Sequence, residues 1–283
     1  SSSSVSGGPP LTNRAWDLPR VTKKMLLQIY ASRHRLINGI TGILIVTAFW
    51  HFADRAVDNE FFFAGPWKVL QKIFSLFITG TIIPHLKISG IEFFLGYGIA
   101  ALVGITLGLA FGISRLVREF LDPWLGGLYA TPTVALAPLI IIWFGVELTP
   151  KIVVVLITAV IPIILNTYTG VLNVGQEFQM LGQAFCIPKH QVLFKILIPG
   201  ALPYIVTGMR LATSRAIVGV VVGEYFGSSH GLGFLLFKGL DTYDMPLMIT
   251  CAVLLAGTGV VFNQGILAFE KRMAPWRDTK LQE

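Results

Sequence analysis

Five polar side chains stand inside long apolar stretches of this sequence, where a polar group is costly: Asn166, Thr167, Arg210, Arg215 and Glu224. A charge in such a stretch needs a partner or a wet cavity, so these residues are candidates for passing or gating a solute. Arg215 lies deepest and is placed to face an anionic solute. Arg210, nearer a span end, fits snorkelling or structural pairing. Glu224 ends its span and fits either structural pairing or a gate. Asn166 and Thr167 follow Pro162 by about one turn, and they either line a pathway or satisfy the carbonyl that the proline frees. Motifs for covalent chemistry that the sequence lacks include the phosphate loop G-x-x-x-x-G-K-[ST], H-E-x-x-H and C-x-x-C. The histidines at 34, 51, 85, 190 and 230 have no ligand spacing, so no metal is expected, and Cys186 and Cys251 suggest inert thiols rather than a disulfide.

The elements that must carry these residues are membrane spans. Hydrophobic residues make up 54% of the 283 and charged residues only 13%, and the mean hydropathy is +0.70, whereas a soluble domain carries about 25% charged residues. Several stretches reach the ~20 apolar residues that cross a bilayer as a helix, and the short alternating segments of a barrel are absent. The expected fold class is therefore all-α, a polytopic membrane protein with about six transmembrane helices. The spans are placed at 36–53, 91–113, 122–144, 151–172, 203–223 and 246–268. Pro132 and Pro138 predict a bent or broken third span, and Gly104, Gly108 and Gly112 share one face of the second, fit for close contact with a partner subunit or within one chain. Residues 54–90 are too polar for a clean span and read as short surface helices whose second half could dip into the membrane.

The domain expectation is a cytoplasmic tail and amphipathic helix over 1–35, a transmembrane domain over 36–269 and a cytoplasmic tail over 270–283. The N-terminal residues lack the apolar core of a secretory signal. With the N-terminus inside, fourteen of the 22 lysines and arginines fall in inner segments and six in outer ones, with Arg210 and Arg215 in a span, which favours both termini in the cytoplasm. The net charge of +7 records this topology, and no nucleic-acid motif accompanies it.

That orientation puts residues 173–199 in the cytoplasm, a helical stretch, a break at Ile187-Pro188 and a second helical stretch ending on Pro199. An ordered, proline-bracketed cytoplasmic loop suggests a docking surface. Here the chain resembles the membrane subunits of binding-protein-dependent ABC importers, whose cytoplasmic loop reads E-A-A-x-x-x-G, nine residues, then I-x-L-P. Pro199 anchors the comparison, with Ile196 and Ile198 at the I and L positions. Gly208 to Arg210, Glu224, the G-L-G at 231–233, the stretch 131–146 and Glu270 with Pro275-Trp276 are similar to the nitrate, sulfonate and taurine branch. The loop departs from the family at Met180, Leu181 and Gly182, which occupy the E-A-A positions, and at Cys186 in place of the glycine; Glu177, one turn earlier, is a substitute acid.

The resemblance implies that the chain is a non-catalytic permease subunit paired with a second copy of itself. Two ABC ATPase subunits would bind the ATP and Mg, with no cofactor in this chain, and a periplasmic binding protein would deliver a small anionic or polar solute such as a sulfonate, taurine, nitrate or bicarbonate. The loop would be a coupling helix seated in the ATPase through Glu177, Met180, Gly182, Ala184, Phe185, Cys186, Ile187, Pro188, Lys189, His190 and Pro199, with residues 183–190 as the lever. Asn166, Thr167, Arg215 and Glu224 are then the pathway or gate residues. A secondary transporter would show inverted repeats and no docking loop, and a membrane enzyme would cluster His, Asp or Glu at one face.

Overall fold

The computed structural model describes residues 20–57, 62–184 and 187–273, and every regular element among them is a helix. Ser1–Asp58 and Asn59–Glu283 are separate compact units. Residues 1–19 and the tail 274–283, with their expected domain roles, lie outside the described residues.

The first unit contributes α1, Arg20–Val57, of which Ile37–Val57 is long and apolar enough to cross a membrane. The amphipathic stretch and the first span expected as two elements are thus one helix. Between Arg20 and Val57 there is no proline, and Gly39 and Gly42 alone weaken the run without breaking it.

The second unit begins with α2, Pro66–Ile78, whose proline opens the first turn, where its missing N–H costs nothing. The next helix, α3, runs over Ile82–Ile113, starting nine residues before the expected span. Residues 54–90 read as short surface helices, but Pro84 occupies the first turn of α3 after the cap residue Thr81, a position that tolerates proline, and the helix runs on from there. Ser114 caps α4, Arg115–Ala130, by accepting from the Val117 N–H at 3.4 Å. A 3₁₀ turn, Thr133–Leu136, then leads into α5, Ala137–Phe144. The arms Pro123–Ala130 and Thr133–Phe144 meet at 84°, so the expected third span is a broken one, with Pro132 at the break and Pro138 in the first turn of α5.

The longest element of this unit is α6, Leu148–Ala184, which joins the fourth span and the front of the expected coupling loop in a single helix. After the break at 187–188 comes α7, Lys189–Val192, then a π turn, Leu193–Leu197, then α8, Ile198–Gly227. The second helical stretch therefore does not end on Pro199 but runs on into the span. Pro199 lies in the first turn of α8, directly after the wide π turn, so its missing N–H falls where the hydrogen-bond register changes anyway. Two helices complete the unit, α9 over Leu232–Asp241 and α10 over Met245–Met273, and Lys72 of α2 donates to Asp244 between them at 2.6 Å.

At the centre α6 packs most extensively on α8 and α3. The contacts are backbone-close because glycines fill them. A Cβ at Gly96, Gly104, Gly108 or Gly112 of α3 would fall 2.4–2.8 Å from Val155, Ile163, Thr167 or Val171 of α6. Both sets of numbers rise together, so the two helices run parallel, and the Gly104, Gly108 and Gly112 face is spent inside one subunit. On the other side Gly208 and Gly219 of α8 lie against Asn166 and Thr158 of α6, with the numbers running in opposite directions, so that pair is antiparallel. Tyr97 donates to the Met209 carbonyl at 2.8 Å, stacks with Phe93 and meets Phe262 edge to face, which ties α3 to α8 and α10.

Candidate functional site

Three features are candidates for function, and they lie at different heights along the helices. The first is a cavity of about 320 Å³ bordered by the broken α4 to α5 segment, α6 and α8, with Tyr129, Thr131, Thr133, Thr158, Ser214 and Arg215 in its wall. Its position follows from the fold. The 84° break turns the threonines of one segment toward the middle of the helix pair, and Pro162 on α6 borders the same space. Thr131 and Thr158 donate their hydroxyls to backbone carbonyls of their own helices, at 2.8 Å to Gly127 and 2.9 Å to Val155. Arg215 is exposed and borders the cavity, and no acidic residue lines the space among the described residues.

A second cavity, of about 630 Å³, lies between α3, α8 and α10. Its two hydroxyls are already engaged, Ser89 with Glu224 at 2.5 Å and Thr258 with the Leu255 carbonyl at 2.8 Å. What remains is a wall suited to hydrocarbon, not to a polar solute.

The second feature is a buried polar network at the end of the core where α8 gives way to α9. Glu224 is fully buried, accepting from Ser89 and from the backbone N–H groups of Gly233 at 2.5 Å and Phe234 at 3.2 Å. Those two N–H groups belong to the first turn of α9, so Glu224 of α8 caps a neighbouring helix. Gly231 has φ +127°, and a Cβ there would fall 2.2 Å from the Glu224 carboxyl carbon; at Gly233 it would meet Val221 at 2.8 Å. Both glycines of the G-L-G sequence are therefore required by the seating of one carboxylate. The loop is also tied to α3, because the Gly231 N–H donates to His85 Nδ1 at 2.9 Å and the Leu232 N–H to Ser89 at 2.8 Å. Beside this cap, Lys151 of α6 pairs with Glu92 of α3 at 3.3 Å, both nearly free of solvent, and donates to Ser228 at 3.0 Å. Sequence reasoning missed Glu92 and counted Lys151 only as an outer charge. A lone acid at the start of the second expected span was the available signal.

The third feature is the segment after Val174. The apolar part of α6 ends there, while the helix continues to Ala184. Glu177, Met180, Gly182 and Ala184 fall on this extension; their side chains, that of Lys189, and Phe185 and Cys186 entirely lie outside the described residues. Ile187 is half-buried, while Pro188 and His190 are exposed, and the Pro188 carbonyl accepts from the Gln191 and Val192 N–H groups to start α7.

The structure thus brings Arg215 to a polar cavity and places the other expected pathway residues elsewhere. Thr167 is fully buried against Gly108 in the α3–α6 contact, with no hydrogen bond to its hydroxyl among the described residues. Asn166 donates to the Pro162 carbonyl at 2.8 Å and packs on Gly208. That carbonyl is the proline's own, not the one on Thr158 that the missing N–H leaves free. Arg210 is exposed on α8. No cluster of metal-ligating side chains is present among the described residues.

Residues 100–275 match the family described as binding-protein-dependent transport system inner membrane component. The chain is 29% identical over 250 residues to the taurine transport system permease protein of Escherichia coli, a match covering 87% of this chain and 91% of that one. It is 27% identical over 248 residues to the putative aliphatic sulfonates transport permease protein of Bacillus subtilis, covering 87% and 90%. Among solved structures, an inward-facing form of the MetNI methionine ABC transporter shares the fold with a TM-score of 0.55 and 20% identity, covering 68% of this chain and 94% of that one.

Proposed function

The chain belongs to the binding-protein-dependent transport system inner membrane components, a multi-pass permease subunit of an ABC importer that performs no hydrolysis itself, and from this premise we propose how it works. Two copies form one pathway for a small anionic or polar solute, of the kind named for its taurine and sulfonate relatives. ATP and Mg are bound by two partner ATPase subunits, and a periplasmic binding protein delivers the solute. Both termini are cytoplasmic, as the distribution of basic residues favours.

One observation carries the coupling half of this reading: α6 runs ten residues beyond its apolar part, a ~15 Å projection at 1.5 Å per residue, before the chain breaks and turns into α7 and α8. A continuous helix cannot bend freely, so force applied to the segment 177–190 reaches the packed core of α6. Glu177, Met180, Gly182, Ala184, Phe185, Cys186, Ile187, Pro188, Lys189 and His190 form the coupling surface, and Pro199 sets the direction in which α8 leaves it. Arg215 belongs to the pathway; Asn166 and Thr167 hold the helix packing around it, and Glu224 holds the outer end closed-packed.

The chain co-purified with the ATPase encoded beside it tests this. Phe185→Glu together with Ile187→Glu releases the ATPase while leaving the permease folded. Undiminished ATPase binding in the double variant refutes the coupling surface. Because the ATPase is cytoplasmic, that outcome also bears on the orientation.

A further inference from the structure

Arg215 lies seventeen residues after Ile198 and twelve before Gly227 in α8, or ~26 Å and ~18 Å along the axis, far from either end of the span. A guanidinium at such depth is costly unless water or a counter-charge meets it. No ion pair engages it among the described residues, and no acid lines its cavity. Three neighbours share this unspent state. The hydroxyls of Tyr129, Thr133 and Ser214 border the same space and donate to no described residue, unlike those of Thr131 and Thr158. The cavity therefore presents one fixed positive charge and three free O–H donors with no competing carboxylate. Its volume of about 320 Å³ suits a molecule of a few heavy atoms.

Donors without acceptors, arranged around a planar bidentate cation, are the complement of an oxyanion. Resting on the reading of this chain as half of a pathway, we propose that the cavity is an anion station inside the permease: Arg215, Tyr129, Thr133 and Ser214 hold a small solute through a sulfonate, carboxylate or similar group. The permease itself then selects for negative charge, in addition to any selection made by a binding protein. Lodging is brief, since the site offers a single charge.

The test uses the full chain assembled with its ATPase in proteoliposomes, with Cys251 replaced by Ala, Ser214→Cys as the reporter, and the labelling of the same chain without the reporter subtracted. Labelling rates are compared for an anionic sulfonatoethyl and a cationic trimethylammonium-ethyl methanethiosulfonate. The anionic reagent reacts ~10-fold faster relative to the cationic one than it does when Arg215→Gln is added. Ethanesulfonate slows the labelling and glycerol does not. An unchanged ratio in Arg215→Gln, or labelling indifferent to ethanesulfonate, overturns the station. Should the Gln variant not fold, Arg215→Lys replaces it: the ratio persists because the charge does, and its loss there overturns the proposal equally. The labelling ratio depends on the cavity alone, whereas a failed pathway reading would show as a complex that labels normally but moves no solute.

Discussion

Glu224 does from α8 what a capping side chain does from within its own helix. Its carboxylate takes the first free N–H groups of α9, and the glycines at 231 and 233 leave the room it occupies. Gly231→Ala adds a methyl where the carboxyl already sits, at a φ that disfavours any side chain, and lowers stability by about 1–3 kcal/mol. Glu224→Ala strands the same donors and costs about 1–3 kcal/mol. A melting curve in detergent reads both, and because the two changes damage one unit, the double variant falls less than the sum. Additive losses would separate the glycine from the carboxylate. The sequence displayed Glu224 and the G-L-G as separate marks; their union depends on how α8, α9 and α3 meet, which no local pattern encodes. Glu92 and Lys151 escaped notice for a related reason. Each lies at the edge of an apolar run, where a charge resembles an interfacial group, although both are buried against each other.

At the scale of elements, the spans were legible because hydropathy measures what a bilayer measures. Their ends were not. Pro84 and Lys87 made the start of α3 look like a surface segment, yet a proline in a first turn and a lysine on an exposed flank are both compatible with a helix. The glycine face was visible as a four-residue spacing, but its partner was not, because small residues serve contacts within and between subunits equally well. In α3 the difference between a packing glycine and an idle one is sharp. Gly108→Ala places a Cβ 2.5 Å from Thr167 Cβ and 2.8 Å from the Ile164 carbonyl, and destabilises by about 1–3 kcal/mol. Gly98→Ala meets nothing within 4 Å and gains up to about 1 kcal/mol from helix propensity. Equal melting temperatures for the two variants would mean that α3 and α6 do not pack as described.

For the whole molecule, the distribution of lysines and arginines spoke to orientation, and the proline-bracketed loop spoke to a partner, before any fold was known. The cavity at Arg215 was only half legible. The arginine announced itself as a charge in a span with Ser214 beside it in the chain, while Tyr129 and Thr133 join them only because the chain breaks by 84° between α4 and α5. That same exposed guanidinium bears on the life of the protein before it works. A newly inserted copy that has not yet found its partners carries Arg215 against lipid, an unfavourable state that assembly relieves by enclosing water around it. An unassembled copy is then expected to be the better substrate for membrane proteases, which turnover measures. In a pulse-chase experiment without the ATPase, the chain decays roughly 2-fold faster or more than with it, and Arg215→Leu abolishes the difference. Equal half-lives for the parent chain in the two conditions would uncouple Arg215 from turnover.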